Sequence, residues 1–201
     1  MLVNADVKSL EIVVAAELSN DKVFKQELLD KVDLHDENRK RFGLGEGKSG
    51  RLVAKVLSFR TIYGGGAFSF ANDPDFTGVS SSTKFWERVI EQYYDKYKGL
   101  KQWHVDIVNA VKQDGYLYIP SGRYYPFAAT FTGTEWKWPI TQIKNYPVQG
   151  FGADLVMLAR IEAYKQLKAS GLEFKMICTI HDSIIVDCPK ESCYTIGCIL
   201  R

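Results

Sequence analysis

Residues 174–187 set the tightest constraint on the fold. Two apolar runs rich in β-branched residues, Phe174 to Ile180 and Ile184 to Asp187, are separated only by His181, Asp182 and Ser183. Runs of this length and composition predict strands, and the three polar residues between them predict a tight hairpin. A polar triplet interrupting two isoleucine-rich strands costs free energy unless its tip faces water or a metal. The expectation is a pair of buried strands with an acidic tip.

A second carboxylate stands at another strand end. Leu2 to Asp6 has the pattern of a short strand, and Leu10, Val13, Val14 and Leu18 follow at helical spacing. Asp6 therefore lies where a strand gives way to a helix. It either caps that helix or presents a reachable carboxylate from rigid backbone.

A third feature is a helix with one chemically distinct side. Arg51, Lys55, Phe59 and Tyr63 fall at i, i+4, i+8 and i+12, so they follow one side of a helix over about 18 Å. Leu52, Val53, Val56 and Leu57 lie off that line and are expected to be buried. Two cations followed by two rings suit a ligand with a polyphosphate head and a flat tail, although a solvated amphipathic helix has the same pattern. Gly64, Gly65 and Gly66 are expected to stop the helix. Ahead of it, Gly45, Gly47 and Gly50 have dinucleotide-fingerprint spacing, and Gly47, Lys48 and Ser49 look like the end of a phosphate loop. Neither motif is preceded by the buried strand it needs. A flexible lead into the helix is expected instead.

Elsewhere the chain is less specific. Residues 72–78 read as a turn-rich insertion. Residues 83–113 predict two helices broken near Lys98 and Gly99, with Phe85, Trp86, Val89, Ile90 and Tyr93 in the core and Lys96, Lys98 and Lys101 on a solvated face. Residues 115–124 alternate like a strand entering a turn, and residues 130–138 like a further strand pair. A helix is expected to open at Lys144 to Gly150 and to run through Asp154, Leu158, Ile161 and Leu167. The net charge of +2 neither requires nor excludes a nucleic-acid partner. No apolar run approaches the 18 or so residues of a membrane span, so no membrane partner is expected. The four cysteines form no C-x2-C pair, which predicts reduced thiols in a cytosolic setting rather than disulfides or zinc.

Taken together, these segments resemble the family A DNA polymerases. The fingers helix of that family carries R-x3-K-x3-F/Y-x3-Y-G, matched here by Arg51, Lys55, Phe59, Tyr63 and Gly64. The first palm motif, usually D-Y-S-Q-I-E-L-R, is similar to residues 6–13 through Asp6 and Glu11, while Val7, Lys8, Ser9 and Val13 depart from its commonest form. The third, H-D-E, is matched by His181 and Asp182, with Ser183 in place of the glutamate. Asp33 and His35 resemble the D-x-H stretch of the fingers. Gly115 to Tyr124 is similar to G-Y-V-x-T-x-x-G-R-R, with Arg123 at the first arginine. Asn145 and Gln149 match R-x3-N-x-P-x-Q-G, where Thr141 stands in place of the arginine and Lys144 is the nearest cation.

The resemblance implies an α+β fold, with an antiparallel palm sheet carrying the catalytic aspartates and a mainly helical fingers insertion. It assigns residues 1–20 and 116–201 to the palm and 21–115 to the fingers. It implies template-directed DNA synthesis, with Asp6 and Asp182 catalytic and two Mg²⁺ ions held at Asp6, Val7 and Asp182. Glu11, His35, Arg51, Lys55, Phe59 and Tyr63 would bind the nucleotide. Arg123, Asn145, Gln149 and His181 would contact primer–template DNA, the second partner besides dNTPs. The chain begins close to the first motif and stops soon after the third, so thumb and exonuclease domains are expected to lie outside it. A separate chain supplying the thumb is then a candidate partner. A phage-type member acting in the cytoplasm of a bacterial or phage-infected cell is expected. Two alternatives stand beside this reading: a non-catalytic fragment or subunit of a split polymerase, and a single-subunit RNA polymerase.

Overall fold

A computed structural model describes residues 1–76 and 78–201; Thr77, within the expected turn-rich insertion, lies outside the described residues. In chain order the elements are β1 (Leu2–Asp6), α1 (Leu10–Ser19), α2 (Lys22–Leu29), α3 (Leu34–Phe42), α4 (Gly47–Ile62), α5 (Ala67–Ala71), α6 (Thr83–Lys96) and α7 (Lys98–Asp114). There follow β2 (Tyr116–Tyr118), β3 (Tyr124–Pro126), β4 (Thr130–Phe131), β5 (Trp136–Lys137), α8 (Ile140–Ala169), β6 (Lys175–Ile180), β7 (Ser183–Asp187) and α9 (Cys193–Ile199). Helices combine with sheets that are antiparallel throughout, and the class is α+β as expected. Two compact units are formed, one from Met1–Leu10 with Gln149–Arg201 and the other from Glu11–Val148.

The first unit is built on a three-stranded antiparallel sheet in the order β1-β7-β6. The expected hairpin is present as β6 and β7, and β1 pairs along the free side of β7 from Leu2 opposite Asp187 to Asp6 opposite Ser183. Ile184 and Val186 alternate into the core with Leu167 and Ile196, the period-2 pattern of a sheet covered on one face. The expectation of two buried strands is corrected for β6, where Ile177 and Ile180 are exposed. It is an edge strand, and its register shifts between Met176 and Cys178. All four cysteines are free thiols.

The second unit is mainly helical, and its core is aromatic. Trp86 stacks on Phe70 at 5.4 Å and meets Phe76 edge-on at 5.2 Å. Tyr97 stacks on Phe24 at 4.3 Å and packs against Tyr93 at 4.9 Å. The predicted break between two helices falls at Tyr97, between α6 and α7. Buried Asp21 both caps α2, accepting from the Phe24 N–H, and accepts the N–H groups of Gly99 and Leu100 that open α7. Gly99 is required there by space, since a Cβ would lie 2.7 Å from the Asp21 backbone. A smaller core of Ile107, Val111 and Ile143 is roofed by Leu117, Phe127 and Trp138 from the short hairpins.

Several expectations are corrected in this unit. Leu52 is exposed, although Leu57 is fully buried; the buried side of α4 is narrower than the four-residue set implied. The lead into α4 is shorter than expected, because the helix already begins at Gly47. Gly50 is helical and packed, with a hypothetical Cβ only 2.5 Å from the Gly45 carbonyl oxygen, so this glycine serves close approach rather than flexibility. The Lys96 side chain is 8% exposed and pairs with Glu27, whereas Lys98 and Lys101 are solvated as expected. The helix expected to open at Lys144 begins at Ile140 and contains Pro147.

Candidate active site

In the first unit, the two aspartates are brought together by strand pairing. Asp6 ends β1 directly opposite Ser183, and the Val7 N–H donates to the Asp182 carbonyl at 3.2 Å. The Ser183 hydroxyl donates to Asp6 Oδ1 at 2.7 Å. His181 occupies the hairpin tip with φ of 53°, a left-handed conformation uncommon for a non-glycine residue. It is exposed, Asp182 and Ser183 are half-buried, and Asp6 is exposed. The polar triplet thus faces water, which removes the cost its sequence context implied.

These donors fit magnesium. Mg²⁺ takes one or two protein carboxylates and fills its octahedron with water and phosphate oxygens. Asp6 and Asp182 on adjoining strand ends supply such a pair. Among the described residues no cluster of three or more His, Cys, Asp or Glu side chains is poised to form an all-protein cage, and this metal does not need one.

In the second unit, α4 carries the mixed cationic and aromatic side, and α3 completes it. Arg51 donates from Nε to Asp33 Oδ2 at 2.8 Å and from its terminal nitrogen to Asp33 Oδ1 at 3.1 Å. This fork holds the Asp33 carboxyl below its usual range and raises the guanidinium. Asp33 also caps α3 by accepting the Asp36 N–H. Lys55 Nζ lies 5.8 Å from the Phe59 ring centre. Phe59 lies between His35 and Tyr63, with centroids at 6.1 and 6.5 Å. His35 is buried, and its Nδ1 has no hydrogen-bond partner among the described residues. Burial first, and then the Arg51 charge, lower its pKa against the opposing pull of Asp33. It is therefore a neutral imidazole at pH 7 with a polar atom to spare.

The helix ends where the sequence predicted. Tyr63 is its C-cap and Gly64 follows with φ of +81°. A Cβ on Gly64 would also lie 2.6 Å from Lys144 Cδ, so the glycine lets the α4 terminus close on the lysine stem. Glu11 sits half-buried in the first turn of α1. Arg123 is exposed in the turn between β2 and β3. Asn145 and Gln149 lie one turn apart inside α8 rather than at its cap, with Asn145 Oδ1 buried and unpartnered among the described residues. Sequence reasoning left Asp33 without a role; its position two residues before His35 was the available signal.

The whole chain, residues 1–201, matches DNA polymerase family A. It is 26% identical over 197 residues to DNA polymerase I of Caldicellulosiruptor bescii, covering 95% of this chain and 23% of that protein. It is 29% identical over 205 residues to DNA polymerase I of Aquifex aeolicus, covering 98% of this chain and 34% of that protein. The fold is similar, with a TM-score of 0.85 and 23% identity, to the polymerase domain of Pol1 from M. smegmatis in complex with DNA primer-template and dNTP, covering all of this chain and 35% of that one. The chain thus spans between about a quarter and a third of the relatives it matches. With motifs, fold and a family match across residues 1–201 in agreement, this chain belongs to DNA polymerase family A.

Proposed function

We propose that this chain is the palm and fingers part of a template-directed DNA polymerase, joining a dNTP to a primer 3′-hydroxyl. The observation that carries the reading is the register that sets Asp6 opposite Ser183 and beside Asp182. Residues 1–20 and 116–201 would form the palm and 21–115 the fingers. The similarity to a polymerase domain in complex with DNA primer-template and dNTP supports the choice of substrates.

Each constellation has a distinct task. Asp6 and Asp182, with the Val7 backbone, would hold two Mg²⁺ ions. Bound there, the ions supply activation of the primer hydroxyl and neutralisation of the departing pyrophosphate. Arg51 and Lys55 bind the triphosphate by charge, and neutral His35 adds a hydrogen bond to it. Phe59 and Tyr63 hold the sugar and base, and Glu11 crowds the position of a ribose 2′-hydroxyl. Arg123, Asn145, Gln149 and His181 orient the primer–template. Positioning and charge neutralisation carry such a transfer without covalent participation of the protein. The thumb that clasps the duplex would come from the remainder of a family-length polymerase or from a separate chain.

The test grafts residues 1–201 into the corresponding place of the Aquifex aeolicus polymerase and measures Mg²⁺-dependent primer extension. An active graft that loses extension on Asp6→Asn or Asp182→Asn, with unchanged thermal unfolding, supports the reading. Full extension by either variant would sink it. A folded graft that binds primer–template but never extends it would favour the non-catalytic alternative.

A further inference from the structure

The outer face of the first short hairpin is aromatic where water usually meets polar side chains. β2 and β3 pair with Tyr118 opposite Tyr124, Leu117 opposite Tyr125 and Tyr116 opposite Pro126. Side chains alternate between the two faces of such a ribbon. Leu117 joins the Ile107, Val111 and Ile143 core, and Tyr125 packs on Tyr146 at 5.7 Å, so that face is turned inward. Tyr116, Tyr118 and Tyr124 take the opposite face and are 38%, 61% and 49% exposed. Their ring centres are mutually 5.2, 5.3 and 5.4 Å apart. Cross-strand packing of this kind helps a short hairpin, but it leaves three rings, inclined at 38°, 52° and 74° to one another, open to water.

Charge narrows what could cover it. Residues 115–134 contain Arg123 and neither Asp nor Glu. Arg123 is exposed in the turn that leads directly into Tyr124. An aromatic face on a segment that carries no carboxylate of its own, beside a guanidinium, suits a polyanion that carries flat bases. Stacking on aromatic rings is available to every base, but only where the base is not already enclosed in a duplex.

We propose that Tyr116, Tyr118 and Tyr124 form a stacking face for the unpaired bases of single-stranded DNA, with Arg123 beside it for the backbone. The identity of that strand, template not yet copied, rests on the polymerase reading; the stacking chemistry does not. Two or more rings in series favour a strand over an isolated nucleotide.

Fluorescence anisotropy of the 201-residue chain with a labelled oligothymidylate, and with an abasic strand of equal length and charge, tests the proposal. The thymidylate should bind more tightly, and Tyr118→Leu with Tyr124→Leu should remove the difference while Tyr→Phe at both positions keeps it. Leucine preserves apolar packing in the hairpin but offers no ring face. The expected loss is about 5- to 150-fold per ring that stacks a base. Photocrosslinking of the strand to the unmodified chain should map to residues 116–124, which requires no variant to fold. Equal binding of the two strands, crosslinks elsewhere, or displacement of the strand by a proline-rich peptide would overturn the proposal. Asp6→Asn should leave strand binding intact, so loss of extension and loss of stacking are separable results.

Discussion

Ser183 donates its hydroxyl to Asp6 Oδ1 across the β1–β7 pair in which the two residues face each other. The third palm motif of the family places a second acid at this position, and here a neutral donor orients the first one instead. A hydrogen bond to Oδ1 fixes the orientation in which Asp6 presents its carboxylate. Ser183→Ala should therefore lower the rate of nucleotide addition by about tenfold, which corresponds to about 1.4 kcal/mol. Stability should change by less than about 0.5 kcal/mol, because the bond itself lies open to water. Single-turnover extension and thermal unfolding of the same graft check both halves.

The fork between Arg51 and Asp33 sets up a competition. A triphosphate that recruits Arg51 must share it with, or take it from, Asp33. Asp33→Asn keeps a side-chain oxygen to cap α3 and removes the competing charge. Titration calorimetry should find dNTP binding a few-fold tighter in this variant at low salt, with the difference shrinking as salt screens the exposed groups. Weaker binding would mean that Asp33 positions Arg51 rather than restraining it.

His104 gives the second unit a pH signature. It is buried against the Tyr94 hydroxyl, 3.0 Å from its Nδ1. Burial, and after it the Lys144 charge, depress its pKa from 6.5 to about 3. The unfolded chain takes up a proton below 6.5 and the folded one does not, so this contribution to stability is complete above 6.5 and is lost as pH falls toward about 3. The slope approaches about 1.4 kcal/mol per pH unit for one such group. His35, lowered in the same direction, adds to it. His104→Gln should flatten, without abolishing, the fall in unfolding free energy between pH 6.5 and about 4.5, above the ordinary carboxylate range. Urea titrations across that window measure it.

The motif-bearing elements were legible because their signals are local. Strand ends at Asp6 and Asp182, the helix under Arg51 to Tyr63 and the break beside Gly99 all follow from periodicity and punctuation within a few residues. Lys96 was not legible. Its partners Glu27 and Asn38 come from helices far back in the chain, and no window around Lys96 distinguishes it from solvated Lys98. The helix expected to open at Lys144 begins at Ile140 instead, and it tolerates Pro147 in its interior where tertiary packing outweighs propensity. Asp33 lay in plain view, yet its bond to Arg51 depends on how α3 packs on α4.

Lys96 accordingly supplies a stability test. Its ammonium lies 2.9 Å from Glu27 Oε1 and 2.9 Å from Asn38 Oδ1, while the Tyr97 hydroxyl donates to Glu27 Oε2 at 2.8 Å. Lys96→Met fills similar space but leaves the Glu27 carboxylate without its cation. Removing one partner of a largely buried pair costs about 3 kcal/mol, against less than about 0.5 for Lys98→Met or Lys101→Met on the surface. Chemical denaturation of the three variants decides whether the network is structural.

The glycines at 64, 65 and 66 look interchangeable in the sequence, yet the fold gives them unequal freedom to drift. Gly64 is fixed twice over, by its left-handed backbone and by the Lys144 stem, and Gly65 by the Arg60 carbonyl 2.9 Å from any added Cβ. Gly66 has extended backbone, open space around it and an N-cap position ahead of α5. In a library that randomises all three codons, functional survivors should therefore diversify at 66 alone, and should gather Ser, Asp and Asn there because those side chains cap a helix that glycine leaves uncapped.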